Sequence, residues 1–277
     1  MMRSLRGLIF AGAVLGTLAS PVLAAESCVE EPAIAFVASE DGRLTIRLNE
    51  ASVVLEYNSS LAGHVLEPLL LMEDENTLSA TLTAADEAAR PSARVELLWL
   101  CRGQPPKPPG ENDKGLAMIA LDAPGRARTT ISREAAPFAL PDYSYTWAPA
   151  TDSDGLLQAI EAMTAAARAG DLDRYLAFYR LMFDDFELEG ELGQARIDET
   201  RRRAAELLGE RFDVVDSGPF RLRPILGGRA YEVRDARGLA PLQFRPMVAA
   251  TDRPGAVAQA AFWIKRGGTD QWFVLRQ

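Results

Sequence analysis

The sequence predicts a two-domain chain: an all-β sandwich, then an α+β domain. Two observations carry this. Residues 33–132 repeat their apolar positions with period two, and at Asp152 the period becomes that of a helix before returning to two after Phe212. A short apolar leader ahead of both domains predicts export.

The leader has a basic end, Arg3 and Arg6, then an uncharged apolar run from Gly7 to Ala19. Val22, Leu23 and Ala24 put small or modest side chains before a cut near Ala24/Ala25. The apolar run is short against the roughly 20 residues that span a bilayer, so a cleaved signal peptide (residues 1–24) is expected, not an anchor. Ala24, Ala25, Glu26 and Ser27 stand where a lipidation motif would end in Cys, so Cys28 is not expected to carry lipid. No second long apolar run follows. The expected location is periplasmic or secreted, with a soluble mature chain.

The formal charge of −9 becomes −11 when Arg3 and Arg6 leave with the leader. Such acidity argues against nucleic acid and anionic lipid surfaces, both of which require clustered Lys and Arg. The chain has two cysteines, Cys28 and Cys101. In an exported protein two thiols usually pair, and a bridge closing so long a loop is worth about 4 kcal/mol in the chain-entropy model. With no Cys-x-x-Cys and one remote histidine, His64, a structural disulfide is preferred to a metal or redox pair.

In the first domain, residues 25–134, the runs Arg43–Leu48 and Thr77–Leu82 alternate cleanly. Further strands are expected at 52–57, 65–72, 93–100, 116–121 and 127–131. Glu40-Asp41-Gly42 reads as a hairpin turn. This spacing predicts an immunoglobulin-like sandwich. The loop from Arg102 to Gly115 carries Pro105, Pro106, Pro108 and Pro109, cannot join a sheet ladder, and is expected to run extended at the surface as a stiff connector. Residues 135–151, with three prolines around Tyr143, Tyr145 and Trp147, read as the interdomain linker.

In the second domain Leu156, Leu157, Ile160, Met163 and Ala167 mark one helix face, closed by Gly170 as a left-handed cap. Asp171 caps a second helix, with Leu172, Tyr175, Leu176, Tyr179 and Met182 on one stripe. A third helix is expected from about Ile197 to Leu208, carrying Arg201, Arg202 and Arg203. Strands follow at 212–215, 220–225, 230–233, 242–250, 257–265 and 272–275.

The stretch Ala169-Gly170-Asp171-Leu172-Asp173-Arg174-Tyr175-Leu176-Ala177-Phe178-Tyr179, the arginine-bearing helix, and the closing runs Phe262–Lys265 and Gln271–Leu275 resemble the SnoaL-like, nuclear-transport-factor-like superfamily. Within it they are most similar to the domain appended to some periplasmic L,D-transpeptidases. The resemblance covers residues 152–277. It implies a cone, three helices over a curved antiparallel sheet, whose pocket serves catalysis in some members and ligand or partner binding in others. Catalytic members place an Asp–His pair or similar acid and base in the cone, and residues 152–277 contain no histidine.

Tyr175 and Tyr179, one helical turn apart, are candidate binding residues at the cone mouth; packing alone also explains such a stripe. Arg201 and Arg202 are candidate carboxylate-binding residues, although Glu199 and Glu206 lie within helical reach. Asp184 and Asp185 are candidate acids or bases should burial raise a pKa. No cofactor or metal is expected. The leading expectation is a non-catalytic exported accessory protein of the bacterial cell envelope, binding a partner protein or a small apolar or anionic ligand. The alternative is a small-molecule isomerase or hydrolase using a carboxylate with Tyr175 or Tyr179.

Overall fold

The computed structural model describes residues 30–57, 62–65, 72, 75–101, 104–132, 153–188, 190–215, 217–247, 257–265 and 270–275. The expected leader, Cys28 and the expected linker lie outside these residues. Strands dominate, forming four sheets accompanied by four α-helices among the described residues.

The first half contains β1 (Glu30–Ala38), β2 (Gly42–Leu48), β3 (Ala51–Tyr57), β4 (Ala62–Val65), β5 (Glu75–Ala84), β6 (Ala93–Cys101), β7 (Gly115–Leu121) and β8 (Gly125–Ser132). They make two antiparallel four-stranded sheets, ordered β4-β1-β6-β7 and β3-β2-β5-β8. Alternate residues of both sheets, among them Ile34, Val95 and Leu97 from one and Leu44, Ile46, Leu78 and Leu82 from the other, share one buried apolar cluster. Each such Leu or Ile contributes about 1.5–3 kcal/mol relative to exposure. His64 lies in β4 opposite Ile34, and Cys101 ends β6 opposite Glu30.

Glu40-Asp41-Gly42 is not a hairpin. The strands it joins, β1 and β2, belong to different sheets, and Asp41 instead accepts a hydrogen bond from the Arg90 amide at 3.1 Å. Gly42 is needed for close approach, since a Cβ there would lie 2.6 Å from Cβ of Pro91. The tight hairpin is one turn later, where Asn49 and Glu50 both take positive φ (49° and 68°) between β2 and β3, as a type I′ turn requires.

The proline-bearing loop is pinned to the sheet. The buried Glu96 of β6 accepts from the Gly110 amide at 2.9 Å and from Asn112 Nδ2 at 2.6 Å. Asn112 Oδ1 in turn accepts from the Lys107 amide at 2.9 Å. Pro105 and Pro108 stay exposed.

The second half opens with α1 (Leu156–Arg168), α2 (Leu172–Ala177), α3 (Arg180–Leu188) and α4 (Glu191–Leu207). Gly170 (φ 65°) closes α1 in a Schellman arrangement, with its amide bonded to Ala167 O and that of Asp171 to Ala166 O. Four helices stand where three were expected, because the second is interrupted. Phe178 O accepts from the Val274 amide at 2.8 Å, a strand contact that takes the carbonyl out of the helical ladder and separates α2 from α3. The last helix starts at Glu191, before the expected Ile197. Its first turns carry few apolar residues, so a hydrophobic period could not reveal them.

Among the described residues seven strands follow: β9 (Phe212–Val215), β10 (Arg221–Ile225), β11 (Ala230–Arg234), β12 (Leu242–Pro246), β13 (Val257–Gln259), β14 (Phe262–Lys265) and β15 (Trp272–Val274). They pair antiparallel as β10-β11-β14-β15 and β13-β12-β9. The run 257–265, expected as one strand, bends at Ala260 (φ 63°) and passes from one sheet to the other. Trp263, Trp272 and Val274 join the helices in a second apolar cluster. The intervening Phe262, Ile264, Phe273 and Leu275 belong to the cluster that fills the sandwich.

The halves also meet through two hairpins. Arg47 and Ser52 are cross-strand partners in β2–β3, and Arg223 and Glu232 are partners in β10–β11. The Leu226 amide donates to Asn49 O at 3.0 Å, the Ser52 amide donates to Glu232 Oε2 at 3.3 Å, and Arg223 donates to Ser52 Oγ at 2.8 Å. Glu232, only 2% exposed, is ion-paired with Arg223 and, at 2.8 Å, with Arg234. Burial alone would raise the Glu232 carboxyl; hydrogen bonds and charge from Arg223 and Arg234 outweigh it and hold the pKa below the ordinary 4.5.

Candidate functional site

Asp171 fixes the start of α2 by accepting from the Arg174 amide at 3.1 Å. Tyr175 lies on α2 and Tyr179 in the turn before α3, and both project toward the sheet. Their rings lie 5.5 Å apart and their hydroxyl oxygens 3.2 Å apart. Both hydroxyls point to Gln259 at the end of β13: Tyr175 donates to its Oε1 at 2.7 Å, and Tyr179 lies 3.5 Å from the same oxygen. Phe244 packs edge-on against Tyr175, with centroids 6.4 Å apart.

This is a neutral, enclosed hydrogen-bonding centre. Tyr175 is buried and Tyr179 partly exposed. Burial pushes Tyr179 up to about 12 and Tyr175 well above its ordinary 10.0. At neutral pH both phenols are therefore donors, not bases. Gln259 was not among the residues singled out from sequence. Its signal was slight: one polar side chain inside the apolar run Ala256–Phe262, at the residue before the bend.

The structure places the carboxylate candidates differently. Asp184 is paired with Arg180 at 2.7 Å, one turn back on α3. Asp185 faces inward and is 4% exposed. The arginine candidates lie on α4. Arg202 pairs with Glu199 at 2.7 Å and also with Glu206, while Arg203 pairs with Glu199 at 2.6 Å. Those hydrogen bonds, from Arg202 first and Arg203 next, hold Glu199 below the usual carboxylate range. Arg201 lies over the Phe183 ring at 5.7 Å and Arg196 over Phe186 at 5.7 Å. These two cations cover aromatic rings of α3, a contact that i,i+4 reasoning within α4 could not foresee.

Tyr175 and Tyr179 are thus brought together, whereas Arg201 and Arg202 are held by other contacts on a different helix. Among the described residues no group of three or more His, Cys, Asp or Glu is gathered to hold a metal, and no helix is long and apolar enough to cross a membrane. No family model, curated protein or solved structure matches this chain.

Proposed function

We propose that this is an exported accessory protein of the cell envelope that binds a partner through its surface, with residues 152–277 as a SnoaL-like cone and the first half as an immunoglobulin-like sandwich. One observation carries the binding reading. Among the described residues Tyr175, Phe244 and Trp263 pack between helices and sheet at 0–1% exposure, and both tyrosine hydroxyls turn to the Gln259 amide oxygen. Export rests on the Arg3/Arg6 leader and the small residues before Ala25.

The test is site-specific photo-crosslinking in cells that express the full chain, from the exposed apolar positions Met118, Leu157 and Met247, which are 52%, 44% and 59% exposed. A discrete heavier species from one of these sites, together with a mature chain beginning near Ala25 in the periplasmic fraction, is the expected result. Uncrosslinked protein from all three positions would overturn the binding reading, and retention in the cytoplasm would overturn export.

The burial of Asp185 favours a second reading, an isomerase or hydrolase in which it acts as acid or base with Tyr175 or Tyr179 as hydrogen-bond donor. That reading requires a small-molecule ligand. Native mass spectrometry of the recovered protein separates the two: a retained small molecule lost in Tyr179→Phe supports the enzyme, and a bare chain removes it.

A further inference from the structure

The seam between the halves gathers positive charge on an otherwise acidic protein. Arg47 from β2, Arg223 from β10 and Arg234 from β11 converge on Ser52 and Glu232. Arg126 of β8 and Glu50 of the β2–β3 turn are the next charges that Arg47 feels. At the seam itself three guanidiniums therefore meet one buried carboxylate. Glu232 is already shared between Arg223 and Arg234, and those side chains keep 32% and 22% exposure. Among the described residues Arg47 has no carboxylate in ion-pair contact. Its one side-chain hydrogen bond there is from Nε to Ser52 Oγ at 3.4 Å, a long contact that leaves both terminal nitrogens available.

We propose that this seam binds a tetrahedral oxyanion, a phosphate or sulfate group, between Arg47, Arg223 and Arg234. Guanidinium forks match such groups bidentately. The three arginines arrive from three strands of two hairpins, a convergence suited to a tetrahedral group; Glu232 engages only one nitrogen of Arg223 and one of Arg234, so each fork keeps a further donor. Ser52 reinforces the preference. Its Oγ accepts from Arg47 and Arg223, leaving its hydroxyl proton to donate to an anion. The state of Arg47 agrees: burial first, then the charge of Arg223, lowers its pKa, so an added anion relieves a strain that Glu232 only partly offsets. The site is distinct from the tyrosine centre and does not depend on the surface-binding reading above.

The experiment uses the mature full-length protein, with thermal melting and isothermal titration in sodium phosphate, sulfate, glycerol phosphate, acetate and chloride at matched ionic strength. Phosphate and sulfate are expected to bind at least tenfold more tightly than acetate or chloride. A response to inorganic phosphate alone identifies a free ion as the ligand, and an equal or tighter response to glycerol phosphate identifies a phosphate ester. Arg47→Met is expected to weaken phosphate binding at least tenfold while melting at or above the wild type in chloride, because one of several crowded cations is gone. A merely structural arginine would lower the melting temperature in both buffers alike. If Arg47→Met does not fold, Arg47→Lys, which keeps the charge but loses the fork, carries the same binding test. Equal stabilisation by acetate and phosphate, no preference over chloride, or unchanged phosphate binding in the variant each overturns the proposal.

Discussion

Replacing Glu232 with alanine removes the one buried carboxylate that neutralises Arg223 and Arg234 at the seam. Removing one partner of a buried ion pair costs about 3–5 kcal/mol, because the remaining charge is stranded. Here the stranded guanidiniums are 32% and 22% exposed, so water screens part of the loss, and about 2–3 kcal/mol is the expected destabilisation at pH 7. The Ser52 amide loses its acceptor as well, within the same range. In urea, with a slope near 3 kcal/mol/M, that loss moves the midpoint by close to 1 M. The acid dependence follows from the depressed Glu232 carboxyl. A folded pKa below the unfolded value contributes stability that is complete above about pH 4.5 and fades as the pH falls through the lower folded value. The gap between wild type and Glu232→Ala should therefore close on acidification. Far-UV circular dichroism and tryptophan fluorescence read the transition. A loss below about 0.5 kcal/mol at pH 7 would refute the reasoning and mark the network as an ordinary exposed ion pair.

Three further outcomes are expected. Tyr175→Phe removes the 2.7 Å bond to Gln259 and the contact with Tyr179, costing about 1–2 kcal/mol by denaturant titration; in the wild type, with Tyr179 raised to about 12, stability should fall once the pH passes the unfolded tyrosine value near 10, before the folded phenols ionise in an ultraviolet titration. Glu96→Ala releases the Gly110 amide and Asn112, so trypsin should cut after the exposed Lys114 several-fold faster than in wild type, and an unchanged rate would show that the loop holds without it. Non-reducing peptide mapping is expected to yield one species linking Cys28 and Cys101, and Cys101→Ala to lower the folding free energy by up to about 4 kcal/mol; two unlinked peptides would refute the bridge.

The strands were legible in the sequence wherever one face is buried and the other is not. In β2 and β5 the alternation of Leu44, Ile46 and Leu48, and of Leu78, Ala80 and Leu82, is the pattern of the sandwich interior itself. Gly170 and Asp171 were legible because capping is local chemistry. What stayed hidden depends on distant partners. Nothing near Phe178 announces that the Val274 amide will interrupt its helix, and Gly42 looks like a turn residue until Pro91 is seen against it. The seam was invisible for the same reason: Ser52 and Glu232 are 180 residues apart, and each looks ordinary within its own hairpin. Gln259 shows the intermediate case, a polar residue out of place in an apolar run whose two partners come from α2 and the turn after it, 80 or more residues earlier.

How β14 and β15 are buried constrains where recognition can occur. Trp263, Trp272 and Val274 face the helices, while Phe262, Ile264, Phe273 and Leu275 join the sandwich cluster. Both faces of these two strands are therefore occupied within the chain. The helical side encloses a neutral centre in which the Tyr175 and Tyr179 hydroxyls already have each other and the Gln259 amide oxygen as partners. A ligand entering there would have to displace close-packed aromatic rings and break hydrogen bonds that a buried site cannot easily replace. At the seam, by contrast, half-buried guanidiniums outnumber the carboxylates beside them, so an anion can add favourable interactions without first displacing a core. The same packing that fills the tyrosine centre leaves charge incompletely matched at the junction of the two hairpins.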